Sequence, residues 1–319
     1  MARSGSYNFS RNRNELIKDS FVEAGILDPN ETVDGDEAEF ASTQLNRMIK
    51  FWQADGLRLW GIRECYLFLE KDKHNYLLGS SGDHWTESFV ATQIKTAASS
   101  SATSIDLDST TGISAADNIL IKLDDGSLHE TTVSSVTDSD TLAIASGLGD
   151  AAAVDNQVYA YTTKAQRPIR VKFVTYHEKS SSVETRLTEI SREQFWSVST
   201  KTTDSRPSQF FFDPQLDSAE INIYGEPDNV ANYLICLAHF PLDDMDAAAN
   251  DFAFPQEWLE PLTYNLAYRL AVAYRAPQDK IGFLRSLARE AKYVADSWDE
   301  EKSPIQMRPD PNWMNSHAR

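Results

Sequence analysis

The chain has 319 residues and only two cysteines, Cys65 and Cys236. They lie far apart in sequence and belong to no Cys-x-x-Cys pair, so neither a disulfide framework nor a zinc site finds support. A reducing cytoplasm is the expected place of synthesis. Long apolar runs are missing too: no stretch of about 18 apolar residues occurs, and the opening MARSGSYNFSRNRNEL has no apolar segment of signal-peptide type. A soluble chain with no membrane anchor, not exported by the ordinary route, is the expectation. Positive charge is scarce. The 30 Lys and Arg stand against 48 Asp and Glu, a formal net charge of -18. Wrapping nucleic acid needs cations that release counterions from phosphates, and this balance argues against it. It is compatible with DNA that slides past an acidic wall.

Catalytic signatures are equally thin. There is no phosphate-cradling Gly-rich loop followed by Lys, no Gly-x-Ser-x-Gly elbow and no His-Glu-x-x-His. DPNETVDGDEAE departs from a calcium loop at its sixth position, where Val33 stands in place of the required Gly. His74, His84, His129, His177 and His239 each lack a close second ligand in sequence and read as surface or structural side chains. The cluster Asp243, Asp244, Asp246 and Asp251 could in principle supply a glycosidase pair. Its place ahead of a helix is better explained by capping and the helix dipole. The expectation is therefore a protein that is not an enzyme, with no catalytic residue, cofactor or metal ligand.

Several segments carry a strong helical period. Asn12 or Asn14 caps a helix through about Ala24, and Gly25 stops it. A second helix, about Glu37 to Ala54, sets Ala41, Leu45, Met48, Ile49 and Trp52 on one stripe and ends at Gly56. The stretch FPQEWLEPLTYNLAYRLAVAY opens with Pro255, suited to a first helical position. Leu259, Leu262, Leu266, Leu270 and Ala273 form its stripe, while Trp258, Tyr264, Tyr268, Val272 and Tyr274 occupy the other faces. Such a helix needs neighbours on two or more sides. A last helix, about Gln278 to Trp298, aligns Ile281, Leu284, Leu287, Ala288, Ala291 and Val294.

Between these helices the period changes to two. CYLFLE and HNYLLG read as short strands, and residues 88–163 form a Ser-, Thr- and Asp-rich run of alternating segments. Asp125-Gly126 there is a hairpin signal. Further strands are expected in residues 164–252, with a short helix capped by Ser191 and Gln194. The expected fold is α+β: a four-helix core of two N-terminal and two C-terminal helices, with inserted β domains and an extended C-terminal arm. The sections are 1–62, helical hairpin; 63–87, connecting strands; 88–163, a small all-β insertion; 164–252, a second β section; 253–302, helical pair; and 303–319, the arm. Pro304, Pro309 and Pro311 keep that arm extended, and Ile305, Met307, Trp313 and Met314 make it a docking segment.

Three blocks resemble one family. VEAGILDPNETVDGDEAEFASTQLNRMIKFWQADGLRLW, ISREQFWSVSTKTTDSRPSQFFFDPQLDSAEINIYGEPD and FPQEWLEPLTYNLAYRLAVAY are similar, in that order, to parts of the short-tailed phage head-to-tail adaptors. That family is also called tail tubular protein A or the packaged-DNA-stabilisation group. Residues 88–163 depart from its smallest members. The resemblance implies a structural virion protein of the tail or neck, made in the host bacterial cytoplasm. Twelve copies would form a ring joining the portal protein to the tail nozzle, with tail fibres as a further candidate neighbour. Viral DNA would pass through its centre without sequence-specific binding. It also implies a portal-binding role for Ile305, Met307, Arg308, Trp313 and Met314, and makes Trp52, Trp258, Tyr264 and Tyr268 candidates for the subunit interface. The alternative from the residues is a phage protein that binds or depolymerises carbohydrate through the β insertion.

Overall fold

A computed structural model describes residues 9–55, 61–247 and 254–298. The chain divides into two compact units, residues 1–60 with 242–319, and residues 61–241. The described helices are α1 (Arg13–Ala24), α2 (Gly35–Asp55), α3 (Arg192–Ser197), α4 (Leu259–Ala273) and α5 (Gln278–Trp298).

In the first unit, Asn12 caps α1. Its side chain accepts the Glu15 N–H while the Glu15 carboxylate accepts the Asn12 N–H, so two orphan donors are satisfied at once. Gly25 ends the helix at φ 68°, a conformation only glycine adopts cheaply, and the N–H groups of Gly25 and Ile26 return to Val22 and Phe21. The α4 segment begins later than Pro255. Gln256–Trp258 form a 3-10 turn, and the α-helix starts at Leu259 with Pro261 in its first turn. Leu262, Leu266, Ala267, Leu270 and Ala271 are buried, and α4 packs on α1, α2 and α5. The Leu262, Leu266, Leu270 stripe and Trp258 are thus covered within the same unit, while Tyr264 and Tyr268 are half-buried and Val272, Ala273 and Tyr274 are exposed. Leu16 and Phe21, Leu45 and Met48, and Leu284 and Ala295 complete one core. Each large side chain there contributes about 1.5–3 kcal/mol of burial before the entropy of ordering is set against it.

The second unit is all strand apart from α3. Its strands are β1 (Ile62–Phe68), β2 (Asn75–Leu78), β3 (Trp85–Thr86), β4 (Val90–Gln93), β5 (Ser104–Asp106), β6 (Asn118–Lys122), β7 (Leu128–Val136) and β8 (Thr141–Ile144). They continue as β9 (Gln157–Tyr161), β10 (Arg170–Glu178), β11 (Val183–Arg186), β12 (Thr188–Glu189), β13 (Gln209–Asp213), β14 (Ala219–Tyr224) and β15 (Tyr233–His239). One sheet runs β11-β10-β15-β1-β3 and a second β12-β13-β14-β2. Both line a shared core that includes Leu67, Tyr76, Trp85, Phe210, Ile221 and Leu234. Cys65 and Cys236, remote in sequence, are direct antiparallel partners across β1 and β15, and both are buried free thiols. The third sheet, β4-β9-β6-β7-β8-β5, uses only residues 90–161 and has its own core of Ile, Leu and Val. Gly126, at φ 83°, lies in the turn between β6 and β7, where the Asp125-Gly126 signal placed a hairpin. An aromatic cluster of Phe68, Tyr159, Tyr161 and Tyr233, with Phe89 against it, joins this sheet to the first.

The expected fold class is overturned. The chain is mostly β, in three sheets, and is not a four-helix core carrying inserted domains. The 3.6-residue period of a few long helices dominates the sequence, whereas most strands here are five residues or shorter and give weak individual signals. Among the described residues fifteen strands, paired largely at long range, outnumber the five α-helices.

Candidate functional site

The sequence offered an interaction surface rather than a catalytic centre, and the helical unit holds its described part. Trp52 on α2 and Trp258 before α4 are buried, at 4% and 2% exposure, with ring centroids 5.7 Å apart. Phe254 lies 6.1 Å from Trp258, and the Lys292 ammonium of α5 sits 5.9 Å above the Trp52 ring. Helices of one chain therefore enclose both indoles, leaving little of either for a second subunit. Tyr264 and Tyr268 on α4 are half-buried and packed at the edge of the same core. Burial first, then the carboxylates of Glu23 and Glu260, push the Tyr264 hydroxyl above its ordinary pKa. Ile305, Met307, Arg308, Trp313 and Met314 lie outside the described residues.

Other side chains stand exposed; the sequence reading passed over the aromatic ones and set Val294, here 55% exposed, on the inward stripe of α5. Phe51 on α2 is 63% exposed, and Phe283 and Tyr293 on α5 are 61% and 74% exposed. Phe40, Val272 and Val294 add to them. These large apolar groups left in water make the helix bundle a candidate contact surface. Their signal was in the sequence as aromatic residues out of phase with each helix's buried stripe.

The β unit holds polar constellations of its own. His84 Nε2 lies 2.7 Å from Glu130 Oε2, and its Nδ1 pairs with the Tyr161 hydroxyl. With Nε2–H donating to Glu130, Nδ1 accepts the Tyr161 O–H. The bond from His84 holds the Glu130 carboxyl below its usual range, and burial pushes the Tyr161 hydroxyl up. The Tyr161 end of this Tyr-His-Glu chain is only 2% exposed, whereas the Glu130 side chain at the other end is 44% exposed. The three residues pin β7 and β9 to the segment leading into β3. Replacing His84 by Ala should strand the buried Tyr161 hydroxyl and lower stability by about 1–3 kcal/mol, read as a shift in urea midpoint at constant slope.

Asp72, Asp204 and Glu226 place carboxylate oxygens within 4.8 Å of one another, a spacing that could hold a cation. Glu226 is the buried member and already pairs with His74 Nδ1 at 2.9 Å. Among the described residues the acidic loop after β15 supplies no side-chain cap to α4 or to the turn before it. Asp244 pairs with Lys50 at 2.8 Å, the Asp246 carbonyl accepts Arg13, and the Met245 carbonyl accepts Ser42 and Asn46, all side chains of α1 and α2. Asp251 lies outside the described residues. Among the described residues no helix is long and apolar enough to cross a membrane.

No protein-family model matches the chain, and no curated protein matches it.

Proposed function

We propose that the chain is a non-enzymatic head-to-tail adaptor of a short-tailed phage, a ring subunit that joins portal to tail nozzle around the path of the DNA. One observation carries the reading beyond the sequence resemblance: the helical unit leaves large apolar side chains in water on two separate helices that flank α4. Phe51 marks the α2 side, and Phe283 with Tyr293 marks the α5 side. A closed ring needs a heterologous interface, in which two different surfaces of each subunit meet. A pair of unlike apolar faces suits that requirement, whereas a two-fold dimer needs only one. The net charge of -18 suits a channel that lets DNA pass without holding it. Against the carbohydrate alternative, the exposed large apolar groups of residues 90–161 are Val136 and Val154, neither of which offers a ring face to a sugar.

Mixing the purified protein with portal rings tests the proposal. Native mass spectrometry should find twelve copies on each portal, and Phe51→Ser or Phe283→Ser should abolish the closed ring while leaving the thermal midpoint within a few degrees. A glycan-binding monomer or trimer that ignores portals would overturn it.

A further inference from the structure

A trough crosses the helical unit. One part, of about 520 Å³, lies between α1 and α4, with Val22 on one wall and Leu259 and Thr263 on the other. A second part, of about 330 Å³, lies between α4 and α5 and is lined by Pro261, Leu287, Ala291 and Val294. Glu260 and Tyr264 line both, so the two parts adjoin on either side of α4. The floor is partly apolar; Arg11, paired with Asp19, and Lys18 stand on the α1 side, while the charged rim between α4 and α5 is all carboxylate, Glu257, Glu260 and Glu290. Glu23, Glu257, Glu260 and Glu290 make no ion pair with any described residue.

The chain itself supplies a segment of matching chemistry. Residues 303–319 carry Arg308 and Arg319 against the single carboxylate side chain of Asp310, in a protein whose net charge is -18. Ile305, Met307, Trp313 and Met314 provide apolar anchors, and three prolines keep the segment extended. Its point of departure also fits. Described α5 ends at Trp298, and Val294, one turn earlier, is in the trough wall. Asn265 of α4 donates to the Ala288 carbonyl of α5 at 3.0 Å, which places the last turns of α5 beside the first turns of α4, where the trough lies. Crossing from α5 over α4 to α1 is two interhelical steps, roughly 16–20 Å. Seven extended residues, from 298 to Ile305, span roughly 23–25 Å.

We propose that residues 303–319 dock in cis into this trough, with Ile305 and Met307 against the Tyr264 wall and the arginines on the glutamate rim. The docking stands on the groove and the arm alone. Its consequence rests on the adaptor reading: a soluble subunit holds its arm back until a portal competes for it.

Hydrogen exchange on the isolated protein, with no portal present, tests the docking. Ending the chain at Lys302 removes no described core residue, and should speed exchange in residues 259–266 and 287–294 about tenfold. A synthetic peptide of residues 303–319 added to the shortened chain should restore protection, and should fail to do so on a Glu290→Lys, Val294→Asp variant that keeps its helical circular dichroism. Equal exchange with and without the arm would overturn the proposal. So would faster exchange caused instead by deleting residues 1–8, which would make that segment the occupant. Cross-links between light and heavy isotope-labelled copies would assign the arm to a neighbouring chain and overturn the cis placement.

Discussion

Replacing Trp258 by Ala should destabilise the helical unit by about 3–5 kcal/mol, the range for deleting a large aromatic from a closed core. Trp258 is 2% exposed and stands among Trp52, Phe254, Leu262 and Leu266 in one cluster. The remaining cavity cannot collapse readily, because α4 is held on three sides by α1, α2 and α5. A loss of that size is a large part of the 5–15 kcal/mol that a domain usually holds. Urea unfolding followed by ellipticity at 222 nm reads it directly. Phe283→Ala is the control: its side chain is 61% exposed, so its midpoint should move by no more than about 0.5 kcal/mol. An unchanged midpoint for Trp258→Ala, combined with lost assembly, would make Trp258 a surface anchor after all.

Helical periodicity was the legible part of this fold. A cap at Asn12 or Asn14, of which Asn12 is the one used, the Gly25 stop and the stripe Leu262, Leu266, Leu270 could be read because each follows from contacts within four residues. The Ser191–Gln194 capping box and the Asp125-Gly126 turn were readable for the same reason. What sequence could not supply was pairing between distant strands. β1 joins β15 across more than 160 residues, and β2 lies in a different sheet from β1 although they are chain neighbours. Nothing local in CYLFLE or HNYLLG encodes that separation. The weight of β structure was therefore underestimated, and the cross-strand pairing of Cys65 with Cys236, both free thiols, had no signal in their sequence spacing. For the candidate surface, composition announced that Trp258 and Tyr264 needed cover. It could not say that Trp258 finds it wholly within its own chain while Phe51 and Phe283 find none among the described residues.

Raising the pH should unfold the β unit cooperatively, with stability falling from about pH 8.5 and failing between about pH 10 and 11. Five ionisable groups are sealed in it as neutral forms: the thiols of Cys65 and Cys236 and the hydroxyls of Tyr76, Tyr159 and Tyr161, none more than 2% exposed. Burial is the first cause of the upward shift in every case; Glu87 adds to it for Cys65, and Glu130 for Tyr161. The folded pKa lies above the unfolded one, so the stabilisation is complete below the unfolded value and is lost as pH rises past it. In the unfolded chain thiols ionise near about 8.5 and tyrosines near about 10, and each group held neutral then costs about 1.4 kcal/mol per pH unit. At pH 10.5 the two thiols account for about 5 kcal/mol and the three hydroxyls for about 2, together comparable with the whole stability of a domain. The core of the helical unit contains no buried tyrosine or cysteine among the described residues, so its ellipticity should outlast the β unit's tertiary signal. Tyrosinate absorbance at 295 nm should therefore show a cooperative step that coincides with loss of near-ultraviolet circular dichroism. A smooth titration near pH 10 with that signal retained would mean that the hydroxyls reach solvent in the folded state. A Cys65→Ala, Cys236→Ala variant separates the two contributions: it starts from a lower stability because of the lost methylene–sulfur packing, but its decline between about pH 8.5 and 10 should disappear, leaving only the tyrosine limb.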